Sequence, residues 1–100
     1  MLEEYVKVGD NDKIHKNIAD AYYNINVLDK AIYHYERAIK QNSQFDEAYF
    51  NVAVILYRQE SYFNAKMNIE KALRINKTEE NYLELHSHIE ERISMNDSRM

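Results

Sequence analysis

The chain has no cysteine, no proline, no tryptophan and a single glycine among its 100 residues. Without cysteine there is no disulfide framework and no thiol nucleophile, which is compatible with a reducing compartment. Without proline and with only Gly9, the usual helix stops and tight turns are missing, so any helix ends must be set by other residues. No Gly-rich stretch exists to cradle a phosphate. Met1 to Asp12 carries Glu3, Glu4 and Asp10 and no apolar run, so it reads as neither a secretory signal nor a membrane span, and a cytoplasmic chain is the expectation. There is little positive charge to spare. The net charge is −4, with −3 in the first fifty residues and −1 in the rest, which excludes nucleic acid as the primary partner, since phosphate binding needs a basic stripe.

What is present is a period. Ala19 recurs as Ala53, Ala31 as Ala65, Ala38 as Ala72 and Asn42 as Asn76, all at a spacing of 34 residues. Ile18 with Val52, Tyr22 with Leu56, Tyr23 with Tyr57, Leu28 with Tyr62, Tyr35 with Ile69 and Ile39 with Leu73 keep the same register. A fixed period in this range marks stacked supersecondary units, each of which buries its apolar face against the next. Small side chains at fixed places, with large ones between them, let two helices approach closely where one presents alanine and the other fills the gap. No alternating strand pattern competes with the helical spacing.

The length of the unit and its distribution of Ala and large residues resemble the tetratricopeptide repeat family, whose unit is a helix, turn and helix. The first unit carries Ile18, Ala19, Tyr22, Leu28, Ala31, Tyr35 and Ala38; the second carries Tyr49, Val52, Ala53, Leu56, Tyr62, Ala65, Ile69 and Ala72. The family's glycine is Ala19 and Ala53, its late proline is Ser43 and Lys77, and its first aromatic is His15. The resemblance implies an all-α, right-handed superhelical array of antiparallel helix-turn-helix units: repeat 1 at 12–45, repeat 2 at 46–78 and a capping helix at 79–95. Residues 1–11 read as an extension or the remnant of an upstream helix, and 96–100 as a frayed tail.

The third stretch fits best when slid by one residue. Tyr82, Leu85, Ile89 and Ile93 then form one stripe at helical spacing, with Glu80, Glu84, Glu90, Glu91 and Arg92 facing water, as suits a solvating cap. His86 falls at a small-residue position and reads as a packing residue. Helices are expected at 12–24, 29–41, 46–58, 62–75 and 80–95, with N-caps at Asp10 or Asp12, at Asp46 and at Thr78. Asn26 stands where the family's turn has glycine and suits a left-handed backbone; Glu60, at the same place in the second unit, has no such rationale.

Function is expected on the concave side that, in the family, the first helix of each unit lines. The residues carried over to it are Lys16, Asn17, Asp20 and Tyr23, then Phe50, Asn51, Val54, Tyr57 and Arg58, then Leu83 and Glu84. Phe50, Val54, Tyr57, Tyr23 and Leu83 make an apolar strip, and Asn17 and Asn51 offer amides that pair with an extended peptide backbone. The carboxylate grip of chaperone adaptors is not reproduced: Lys16 and Asn51 fit, but Asp20, Glu80 and Glu84 stand where the grip needs an amide and two cations. The ligand is therefore expected to be a protein or peptide of basic or mixed charge. The alternative is a structural or self-associating module, a homo-oligomer through an end helix, or a fragment of a longer array.

An enzyme reading has no support in the sequence. His15, His34, His86 and His88 are the only imidazoles, and no hydroxyl stands with histidine and carboxylate in a relay. His86 with Glu90, and Glu84 with His88, have the i, i+4 spacing of metal ligands, but two ligands do not make a site. No cofactor is called for.

Overall fold

The computed structural model describes the backbone of residues 11–98 and the side chains of 11–96; the reading of residues 1–10 lies outside the described residues. Among the described residues five helices follow one another: α1 (Asp12–Asn24), α2 (Leu28–Gln41), α3 (Asp46–Arg58), α4 (Tyr62–Ile75) and α5 (Glu80–Ser98). These bounds match the expected ones to within a residue, except that α5 continues to Ser98 rather than ending at 95. No strand occurs among the described residues. The chain forms two compact units, residues 1–48 and 49–100.

The alanines of the repeat do what their spacing requires. Ala19, Ala31, Ala38, Ala53, Ala65 and Ala72 are completely buried, together with Ala48. In the first unit α1 packs on α2 through Ile18, Ala19, Ala31, Tyr35 and Ala38. In the second, Ala53, Ala65, Ile69, Ala72, Tyr82, Leu85 and Ile89 form one core, with Tyr49, Phe50, Val54, Leu56, Tyr57, Leu73 and Ile93 packed around it. The slid register of the last helix is therefore the one observed, because Tyr82, Leu85 and Ile89 are buried and Ile93 is half-buried. Added methylenes at these fully buried alanines would overpack the interface, so the close approach of the backbones rests on them.

Both three-residue connections within a helix pair end their first helix with the same left-handed hydrogen-bond pattern. Asn26 and Glu60 each have φ 63°. Val27 N–H donates to Tyr22 O at 2.9 Å and Asn26 N–H to Tyr23 O at 3.0 Å; Ser61 N–H donates to Leu56 O at 2.8 Å and Glu60 N–H to Tyr57 O at 3.0 Å. This is the Schellman arrangement, which satisfies carbonyls that the helix end leaves open. The repeat of the geometry accounts for Glu60, since the turn imposes the same backbone whether or not the side chain favours it.

The other helix ends show how the chain does without proline. Asn42 and Asn76 leave the helical region, at φ −146° and −131°, while their N–H groups still reach Ala38 O and Ala72 O at 2.9 Å. Asn42 also donates through Nδ2 to Asp12 Oδ2 at 3.0 Å and accepts the Gln44 N–H on Oδ1 at 3.0 Å, tying the end of α2 to the start of α1. The N-caps differ from expectation. α1 is capped by Asn11, whose Oδ1 accepts the Ile14 N–H at 3.0 Å, while Asp12 is the first helical residue. Asp46 is likewise inside α3, where its charge complements the helix dipole. Before α5 the capping side chain is Glu79, which accepts from Asn81 N–H at 3.4 Å, in place of Thr78.

Candidate functional site

In the first unit, Lys13, Lys16 and Asn17 of α1, with Phe45 and Glu47, line an open cleft of about 300 Å³. Lys13 and Lys16 lie three residues apart on one face of the helix, and the chain leading into α3 closes the other wall. Lys16 is drawn in two directions: its Nζ lies 3.0 Å from Asp20 and 3.8 Å from Glu47. Asp20 in turn accepts a hydrogen bond from the Tyr35 hydroxyl of α2. Asp20 thus ties α1 to α2, a structural duty beyond the one expected of it. Asn17 is exposed and Tyr23 half-buried. Positive charge in the cleft is balanced by the carboxylates of Asp20 and Glu47 beside it.

Behind this cleft lies a polar pair that the repeat pattern did not single out. His15 and His34 are both buried, their rings stacked at 5.4 Å, with Nδ1 to Nδ1 at 3.1 Å. Such a hydrogen bond exists only when one ring carries its proton on Nδ1 and the other presents a lone pair there. His34 also stacks on Tyr22 at 5.6 Å and meets the edge of Tyr33 at 5.0 Å. The signal was present in the spacing: 31, 34, 35 and 38 are one stripe of a helix, so a histidine at 34 had to face the core. With both rings closed to solvent, neither reaches a substrate.

In the second unit, Phe50, Asn51, Val54 and Tyr57 lie along one side of α3 at helical spacing, all half-buried, while Val52, Ala53 and Ile55 on the other positions are sealed in. Two of the rings also serve the core. Phe50 packs on Tyr82 of α5 with centroids 4.8 Å apart, and Tyr57 meets Tyr62 of α4 edge-on at 5.6 Å. The strip is therefore partly helix packing, each ring remaining half-buried. Arg58 is exposed at the end of α3. Leu83 is exposed on α5, at 48%, and Glu84 pairs loosely with His88 at 4.0 Å.

A third grouping joins α4 to α5. His86 Nε2 lies 3.3 Å from Glu70 Oε2 and 3.9 Å from Glu90 Oε1. His86 is thus half-buried and its imidazole is held by carboxylates of α4 and α5, a role beyond the packing expected of it. Lys66 joins from the side, its Nζ 3.0 Å from Glu90 Oε1. The hydrogen bond that Lys66 donates to Glu90, then the Glu90 charge, holds its ammonium above its ordinary range. Glu90 and Arg92, expected only to face water, both have partners, Arg92 donating to the Tyr62 hydroxyl at 3.2 Å. Sequence alone gave Glu90 as a neighbour of His86; Glu70 is 16 residues away and only the packing of α4 on α5 brings it in.

Residues 19–60 match the family described as TPR repeat. Among solved structures, the chain is similar to YrrB, described as a TPR protein with an unusual peptide-binding site, with a TM-score of 0.85 and 20% identity over 93% of this chain and 48% of that one. It is also similar to MamA, in one structure with a TM-score of 0.87 and 18% identity over 96% of this chain and 57% of that one. A second MamA structure gives 0.86 and 20% over 97% and 54%. The chain spans about half the length of the solved proteins it matches. No curated protein matches it. No helix among the described residues is long and apolar enough to cross a membrane.

Proposed function

We propose, from the match of residues 19–60 to the TPR repeat family, that this chain is a non-catalytic adaptor or scaffold of the cytoplasm that holds a partner protein by an extended peptide. The observation that carries the reading is on α3: Phe50, Asn51, Val54 and Tyr57 share one half-buried side, an amide set within apolar surface. Apolar rings supply area and the Asn51 amide supplies a donor and an acceptor for a peptide backbone. The rings are pre-positioned by Tyr82 and Tyr62, so little side-chain freedom is lost on binding. Exposed Arg58 and Glu84 in the same unit favour a peptide of mixed charge. YrrB, described as having a peptide-binding site, lends the fold precedent for this use.

The test is a displayed peptide library panned on the purified chain, with enriched sequences then measured against Asn51→Ala, Phe50→Ala and Tyr33→Ala. Enriched peptides should lose more than about tenfold in affinity with the α3 variants, as hot-spot truncations do, and keep it with Tyr33→Ala. Peptides that bind all variants alike would remove the α3 surface from the reading.

A further inference from the structure

We propose that Glu70, His86 and Glu90 form a three-ligand site for a divalent transition-metal ion of the zinc class, joining α4 to α5. One ligand atom from each residue lies within 4.8 Å of the other two. A tetrahedral zinc shell built from bonds of about 2.0 to 2.2 Å sets its ligand atoms about 3.3 Å apart. The His86 Nε2 to Glu70 Oε2 separation is already 3.3 Å, and that to Glu90 Oε1 is 3.9 Å. The widest pair has to close by at most about 1.5 Å, a side-chain torsion rather than a backbone movement.

The donor set suits the ion. One imidazole nitrogen and two carboxylate oxygens satisfy zinc's borderline preference and leave a fourth position for water, whereas calcium and magnesium ask for oxygens alone. The two negative charges neutralise a divalent ion. The backbone under the site is held: Ile69 and Ile89, each next in sequence to a ligand, are completely buried in the core of this unit. His86 and Glu90, one turn apart on α5, have a fixed mutual distance, and α4 delivers Glu70 from across the packed interface.

Lys66 already brings a positive charge to this cluster, its Nζ 3.0 Å from Glu90 Oε1. It is also the competitor the ion must displace. Its side chain is only about a third exposed at 36%, but it is long and flexible enough to swing its head into solvent when a metal takes the carboxylates. The bound ion would then pin the terminal helix to α4 with bonds in place of a screened ion pair.

The experiment is calorimetric titration of the full chain with zinc chloride in a non-chelating buffer at neutral pH, repeated with cobalt(II) followed by visible absorption. One equivalent should bind, with the intense visible bands of a four-coordinate cobalt centre, and zinc should raise the melting temperature. Glu70→Gln and His86→Gln, on different helices, should each weaken binding more than about tenfold, and His88→Gln should leave it unchanged. Lys66→Gln should tighten it several-fold. No saturable uptake, or uptake indifferent to either Glu70→Gln or His86→Gln, would overturn the site. So would loss in His88→Gln, or an unchanged affinity in Lys66→Gln, which would put the ion away from Glu90. Melting of each variant without metal separates loss of a ligand from loss of the fold.

Discussion

Glu60 holds a left-handed backbone at φ 63° with a side chain that gains nothing from it, and replacing it with glycine should stabilise the chain. For an L-residue the left-handed region costs roughly 1–2 kcal/mol, because Cβ crowds the following carbonyl. Glycine escapes that clash but gives up more freedom on folding, about 0.5–1 kcal/mol, so the expected net gain is about 1 kcal/mol. The hydrogen bonds of the turn, Ser61 N–H to Leu56 O and Glu60 N–H to Tyr57 O, are made by the backbone and survive the change. One side-chain contribution is lost: the Glu60 carboxylate acts on Arg92, though only weakly across solvent. Glu60→Gln isolates that loss, since it removes the charge and keeps the backbone cost. In thermal melts followed by circular dichroism, Glu60→Gly should rise by about 4–8 °C for a domain of this size, and Glu60→Gln should match or fall slightly below the parent. If Glu60→Gly melts no higher than Glu60→Gln, the left-handed turn carries no penalty here and the reasoning fails. Asn26→Gly, at the same φ in the other turn, should gain less, because asparagine already tolerates the region.

Ala65→Leu should overpack the completely buried interface of the second unit and cost about 1–3 kcal/mol, read from urea melts, whereas Ala21→Leu at an exposed site should be nearly neutral. His34→Ala removes the hydrogen bond to His15 and three ring contacts, and should destabilise by about 2–4 kcal/mol; a variant as stable as the parent would show the buried pair to be idle. The Lys66 ammonium is held above its ordinary 10.5 in the folded chain, so its contribution is fully present below that value and is lost as pH rises through the higher folded one. The small stability difference between the parent and Lys66→Met should therefore be present at about pH 8 and close at strongly alkaline pH, and it should shrink with added salt. A difference that persists after the lysine has lost its charge would assign it to packing instead.

The spacing of the alanines determined the helices, their order and their buried faces, because helix packing depends on small residues at fixed periods and those are visible in one dimension. Ala19, Ala31, Ala38, Ala53, Ala65 and Ala72 alone placed the interfaces that are observed. Asn26 announced its turn by residue type; Glu60 did not, and only its backbone shows that the two turns are the same. The helix starts were less legible, since Asn11 and Glu79 do the capping where neighbouring Asp12 and Thr78 offered equally suitable side chains. On α3 the side that carries Phe50, Asn51, Val54 and Tyr57 was expected from the resemblance to the tetratricopeptide repeat family, but that two of those rings rest on Tyr82 and Tyr62 was not. The contacts that carry charge and imidazole were set by tertiary structure. His15 meets His34 across 19 residues, Asp20 meets Tyr35 across 15, and Glu70 meets His86 across 16. Periodicity reports which face of a helix a residue occupies, whereas such meetings depend on the crossing and rotation of two helices, and these exist only once the core has packed.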